Sequence, residues 1–171
     1  MQIFYMLRSH PSRKKLEEIH NKTSIMHMGS LSEMRSVADM RLVEPRSYAE
    51  DASSMPYKEC WWYLFENSNA RRIGIGDIDY KLKEEVWMRP SIEPKPDTIA
   101  AYLGEDTGVY KGVKHRIIMH VGRVLEVKFD AITVRSKFGA GDVFEHPIEC
   151  VPLFYGRYAK FVDIPGFFDE Y

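Results

Sequence analysis

Cysteine is scarce in this chain, and its scarcity excludes whole classes of architecture. Only Cys60 and Cys150 occur among 171 residues. Neither belongs to a C-x-x-C pair or a Cys/His ligand spacing, so the local sequence writes no disulfide framework and no zinc-finger-type site. Each lies in an apolar run, Cys60-Trp-Trp-Tyr-Leu-Phe65 and Cys150-Val-Pro-Leu-Phe154, where an inert buried thiol in a reducing cytoplasm is the expected state. Net charge is lacking too. Twenty-four Lys and Arg against 25 Asp and Glu leave a formal charge of -1, so no global field draws the chain to nucleic acid or a membrane surface. The basic runs Arg13-Lys14-Lys15 and Arg71-Arg72 are short, and the first is followed by Glu17-Glu18 as on a solvated helix face, so no sequence-specific nucleic-acid partner is expected. No apolar run approaches a membrane span. The opening Met1 to Leu7 has no basic n-region and is cut short by Arg8, so it reads as a first strand rather than a signal peptide. The six histidines show no zincin-like or finger-like spacing, and no metal is expected from them.

What is present suits one globular domain spanning 1–171: 44% hydrophobic and 29% charged residues permit a packed core at this length. Strands are expected over Gln2 to Leu7, Ser24 to Met28, Cys60 to Phe65, Phe129 to Val134, Ile148 to Phe154 and Tyr158 to Val162, with a short partner strand over Arg71 to Ile75. In the aromatic run, alternation predicts that one of Trp61 and Trp62 is buried, with Cys60 on the side of Trp62. A surface helix from Arg13 to His20 carries Leu16 and Ile19 and could be capped by Ser12. Another spans Asp79 to Met88, and the longest spans Tyr110 to Val127 on the near-helical spacing of Val113, Ile117, Val121 and Val124. Glu44 to Lys58 reads as a long loop or lid, Ile73-Gly-Ile-Gly-Asp77 as a turn without the third glycine of a nucleotide fingerprint, and Gly139-Ala-Gly141 as a turn. These elements describe an α+β fold with mixed or antiparallel sheets and a few packed helices.

The segment Ile25-Met-His-Met-Gly-Ser-Leu-Ser-Glu-Met-Arg-Ser-Val-Ala-Asp39 reads as a strand passing through a glycine turn into a helix. Ser30 and Glu33 fit a capping box, and Leu31, Met34, Val37 and Leu42 give the helix an apolar face. A strand end, hydroxyls and a helix start also form a candidate anion cradle, with His27 beside the glycine as a candidate ligand contact. Ser30 is thus open to two roles, cap or ligand donor.

Taken in order, Phe4-Tyr-Met-Leu-Arg-Ser9, Met26-His-Met-Gly-Ser-Leu-Ser32 with the Ala38 helix, Phe65 to Asp77, and Phe129-Asp-Ala-Ile-Thr-Val134 resemble the ADP-ribosyltransferase fold of small bacterial and phage proteins. That resemblance implies NAD as substrate and transfer of ADP-ribose to a host macromolecule. It implies Glu145 or Glu149 as the catalytic carboxylate. Tyr5 or Tyr48 would then stack on nicotinamide, and Arg8, Ser30 and Ser32 would contact the remainder of NAD. The chain departs from the pattern at Met6, where the family carries a polar ribose contact; Arg8, two residues on, would substitute if the strand continued.

Two other functions fit the same residues. One is a non-catalytic inhibitor or host-takeover factor that binds a host protein, to which Met6 and the aromatic, acidic tail Asp163 to Tyr171 would contribute. The other is a structural subunit of an assembly. A cytoplasmic setting, that of the host for a phage-borne chain, is the expectation for all three.

Overall fold

A computed structural model describes residues 4–24, 28–29, 31–44, 60–61, 63–64, 75–129, 131–139 and 141–168, with residues 75–78 described as backbone only. Among the described residues the framework is a sheet of seven strands: β1 Tyr5–Met6, β2 Arg41–Glu44, β3 Ile99–Tyr110, β4 Val113–Lys128, β5 Ala131–Lys137, β6 Val143–Pro147 and β7 Tyr158–Val162. Their order is β1-β7-β3-β4-β5-β6-β2, and every neighbouring pair is antiparallel. It is accompanied by α1 Arg13–Lys22 and α2 Ile75–Lys83, the second running on into a π-helical turn Glu84–Met88. No helix among the described residues is long and apolar enough to cross a membrane.

Both faces of the sheet are covered, and the strands show it by alternation. On β3, Ala100 and Tyr102 belong to one apolar cluster and Ile99, Ala101 and Leu103 to the other. Such a strand reads as an unbroken buried run because neither side meets water. The first face is covered by α1 through Leu16 and Ile19, by Met34, and by the segment carrying Ile148, Cys150, Val151 and Tyr155. The second is covered by Cys60, Trp61, Tyr63 and Leu64, by Leu82 and Val86, and by Ile164 and Phe167, with Trp61 stacked on Phe167 at 5.3 Å. The antiparallel α+β architecture is as the element count anticipates; the cover on both faces, which makes three layers, is not legible there.

Several expectations need correction. The stretch from Tyr110 to Val127 is not a helix: Tyr110 pairs with Val113 across a two-residue loop, and β4 runs back along β3. Lys111 and Gly112 both take positive φ, 48° and 77°, which is the type I′ geometry that matches the twist of a hairpin. The β-branched residues that mimic helical spacing there serve a strand instead. Cys60, Trp61, Tyr63 and Leu64 have helical backbone rather than strand. All four are buried, Trp61 among them, and Trp62 lies outside the described residues. Met28 closes a helical turn, its N–H reaching Ser24 O at 3.1 Å, so no strand ends there. The helix expected after Ser30 is a short 3-10 turn, Ser32–Ser36, and Leu42 belongs to β2. Ile75, Gly76 and Asp77 are helical, not a strand end and a turn. Ile148 to Phe154 is a turn leading to a 3-10 helix, Leu153–Tyr155, so the expected hairpin around Gly156 does not form. Ser12 does not cap α1; its hydroxyl goes to Ala38 O at 2.8 Å and Asp39 Oδ2 at 3.3 Å. The long loop or lid expected over Glu44 to Lys58 lies outside the described residues beyond Glu44, itself the end of β2.

The π-helical turn is held by a buried cation. Lys160 of β7 donates its Nζ to the carbonyls of Val86 and Arg89, and burial pulls its pKa down to about 8. Lys160→Met should therefore cost about 2 kcal/mol or more in a urea melt, since it strands two carbonyls that a charged donor satisfies.

Candidate functional site

Three chain connections converge on the first face of the sheet. His10 lies between β1 and α1, Asp39 in the turn before β2, and Glu149 and Cys150 follow β6 directly. Tyr5 reaches them from β1 at the sheet edge. Its hydroxyl donates to Glu149 Oε1 at 2.8 Å across 144 residues of sequence, while its ring packs edge-on against Phe161. Arg13, the first residue of α1, donates from Nη2 to Glu149 O at 2.9 Å and so fixes the Glu149 backbone. Among the described residues its Nε is a buried donor without a hydrogen-bond partner.

Beside this pair sits a second constellation. Cys150 Sγ is 3.1 Å from His10 Nδ1 and 3.6 Å from Nε2, and Nε2 is 3.9 Å from Asp39 Oδ2. One donor atom from each residue lies within 4.8 Å of the other two. Ser12 organises the group, its hydroxyl on Asp39 and its N–H on His10 Nδ1 at 3.2 Å. Cys150 is fully buried. Burial first, then the charges of Asp39 and Glu149, push its thiol up to about 12, and Ser12 and Arg13 pull weakly the other way. A nucleophilic cysteine needs the reverse environment, electropositive and partly open. Cys60, on the opposite face, is likewise raised to about 12 by burial, in keeping with an inert core thiol.

The two candidate glutamates differ in their surroundings. Glu145 stands on β6 between Arg41 of β2 and Arg135 of β5, its register partners on either side. Arg135 grips Oε1 through Nε at 3.1 Å and Nη2 at 2.5 Å, and Arg41 Nη2 holds Oε2. Both carboxylate oxygens are committed to a cross-strand ladder. Glu149 is the one that meets Tyr5. Arg8 is exposed in the connection after β1, and since that strand ends at Met6, alternation along it does not extend to Arg8. Ser32 is exposed at the start of its 3-10 turn. His27, Ser30 and Tyr48 lie outside the described residues.

Sequence reading did not single out His10, Asp39 or Cys150 as a group. Their spacing follows no ligand motif, and only the paths of three connections join them. No protein family, curated protein or solved structure matches the chain.

Proposed function

We propose that this end of the molecule takes NAD or a closely similar dinucleotide and that the chain is an ADP-ribosyltransferase-like protein with Glu149, not Glu145, as its carboxylate. The hydrogen bond from Tyr5 to Glu149 carries this reading: an aromatic and an acid from opposite ends of the chain meet, with one oxygen of the acid fixed. Arg13, which holds Glu149 O, adds a buried Nε without a hydrogen-bond partner among the described residues, a donor suited to a phosphate oxygen. In such a reaction the bond from ribose C1′ to nicotinamide breaks and nicotinamide leaves with the electron pair. The carboxylate stabilises the cationic sugar until an acceptor nucleophile, losing its proton, bonds to C1′.

Release of nicotinamide from NAD should be measurable with the purified chain, and Glu149→Gln should lower the rate about 10²–10³-fold, the usual worth of one group facing a developing charge. Glu145→Gln should not lower it comparably. If calorimetry shows no NAD binding at millimolar concentration, the transferase reading fails. One observation favours a second reading: Met6, on edge strand β1, is 68% exposed where a polar ribose contact is expected. An exposed methionine at a sheet edge suits a non-catalytic protein-binding surface. Silence toward NAD with retained fold favours it.

A further inference from the structure

We propose that His10, Asp39 and Cys150 form a binding site for a divalent transition cation of the zinc class, independent of any NAD chemistry at Glu149. His10 Nε2 stands 3.6 Å from Cys150 Sγ and 3.9 Å from Asp39 Oδ2. Metal–ligand bonds of about 2.0–2.3 Å in a tetrahedral site set neighbouring donors roughly 3.3–3.8 Å apart, so small side-chain movements complete the set. The donors themselves choose the ion. A sulfur, an imidazole nitrogen and one carboxylate suit zinc or cobalt, whereas magnesium and calcium want oxygen throughout.

The surroundings resemble the supporting shell of a metal site. Ser12 Oγ bridges Asp39 Oδ2 and Ala38 O, which fixes the carboxylate, and Asp39 itself is held at φ 68°. Cys150 is fixed from behind by its N–H on Pro147 O at 2.8 Å. The Asp39 side chain is 54% exposed and that of His10 20%, so a cation has an approach from solvent to a thiol that is otherwise enclosed. Three protein ligands leave a fourth position for water or a substrate atom. Ligation through Nε2 puts the ring proton on Nδ1, so the Ser12 N–H contact there is given up on loading. A free Cys–His nucleophile pair is the competing reading of the same atoms. Full burial of the sulfur bars a substrate atom from it, whereas a small cation entering past Asp39 brings the positive charge that deprotonates the thiol.

The test is a cobalt titration of the full chain after chelator treatment. Saturation at one equivalent, with a thiolate-to-cobalt charge-transfer band that zinc displaces, is expected. Cys150→Ser should abolish the band and Cys60→Ala should leave it. Ser12→Ala, which removes no ligand, should weaken metal affinity about 10-fold or more, the usual loss for a supporting residue. Should Cys150→Ser fail to fold, the wild-type chain decides the question alone: zinc must raise its melting temperature and a chelator must reverse the rise. The proposal is overturned by absence of saturable binding, by a band that survives Cys150→Ser or vanishes in Cys60→Ala, or by rapid alkylation of Cys150 that zinc does not slow.

Discussion

Gly156→Ala is expected to destabilise the domain by about 3–5 kcal/mol and to lower its melting temperature by about 10 °C. Gly156 follows the 3-10 helix that ends at Tyr155 and has φ 96°, a conformation side chains rarely adopt. A Cβ there would collide with Leu103 O and stand 2.6 Å from Leu103 C and 3.0 Å from Gly104 Cα, all backbone atoms of central strand β3. Backbone cannot yield as the end of a side chain can. The strand would have to move, or Tyr155 would lose its seat against His120. Gly112→Ala separates strain from collision, because φ is 77° there but no atom of the described residues lies within 4 Å of the added carbon. That control should cost only about 1 kcal/mol. Equal losses at the two glycines would mean that contact with Leu103 is unimportant.

The parts of the fold legible in the sequence are those whose local preference and tertiary role agree. Arg13–Lys22 is a helix because Leu16 and Ile19 are its two apolar contacts, and both are fully buried. Tyr158–Val162 and Ala131–Lys137 are β-branched and aromatic segments that become strands. Val113–Lys128 was open to misreading because both faces of β4 are covered. Its apolar residues then need not alternate, and Val113, Ile117, Val121 and Val124 fall by chance at helical steps. Lys111-Gly112 was the available signal, since a glycine between two β-rich runs marks a hairpin. The aromatic run at Cys60 fails the other way: five or six residues without alternation carry no period, and strand propensity is overridden by packing on the second face.

For the candidate site the legible part is chemical and the illegible part geometric. Glu149 and Tyr5 could be named as residue types suited to one reaction, but Glu145 fitted equally until its place between Arg41 and Arg135 was known. The β6–β5 and β6–β2 registers place Glu145 between those two arginines, and strand register is a long-range property. His10, Asp39 and Cys150 show the same limit more sharply. Asp39 reads locally as the polar side of a helix, yet it sits at positive φ in a turn whose carboxylate faces another loop.

Acidification should unfold this protein through its buried imidazoles. His120 is enclosed by Tyr102, Phe138 and Tyr155, stacked on the last at 4.1 Å, and among the described residues both its nitrogens lack partners. His146 lies beyond Phe138, its ring nitrogens on Ser136 Oγ at 2.7 Å and Pro147 O at 2.8 Å. Burial holds His146 down to about 4 and His120 well below the usual histidine value, His146 adding to the second effect. Since the folded pKa lies below the unfolded one, the unfolded chain binds more protons as pH falls. The stabilisation is present above about pH 6.5 and is lost as pH falls through about 4. His146 alone accounts for roughly 3 kcal/mol of that loss, a large share of a typical domain's stability. Carboxylates also contribute near pH 4, so the diagnostic window is about pH 6.5 to 5, where they remain ionised. His120→Phe completes the aromatic cage without an ionisable group. It should hold or raise stability at neutral pH and make the slope of unfolding free energy against pH shallower within that window, read by urea melts. A wild-type slope of zero there, or a slope unchanged by His120→Phe, would mean that water or a local opening already admits protons to the cage.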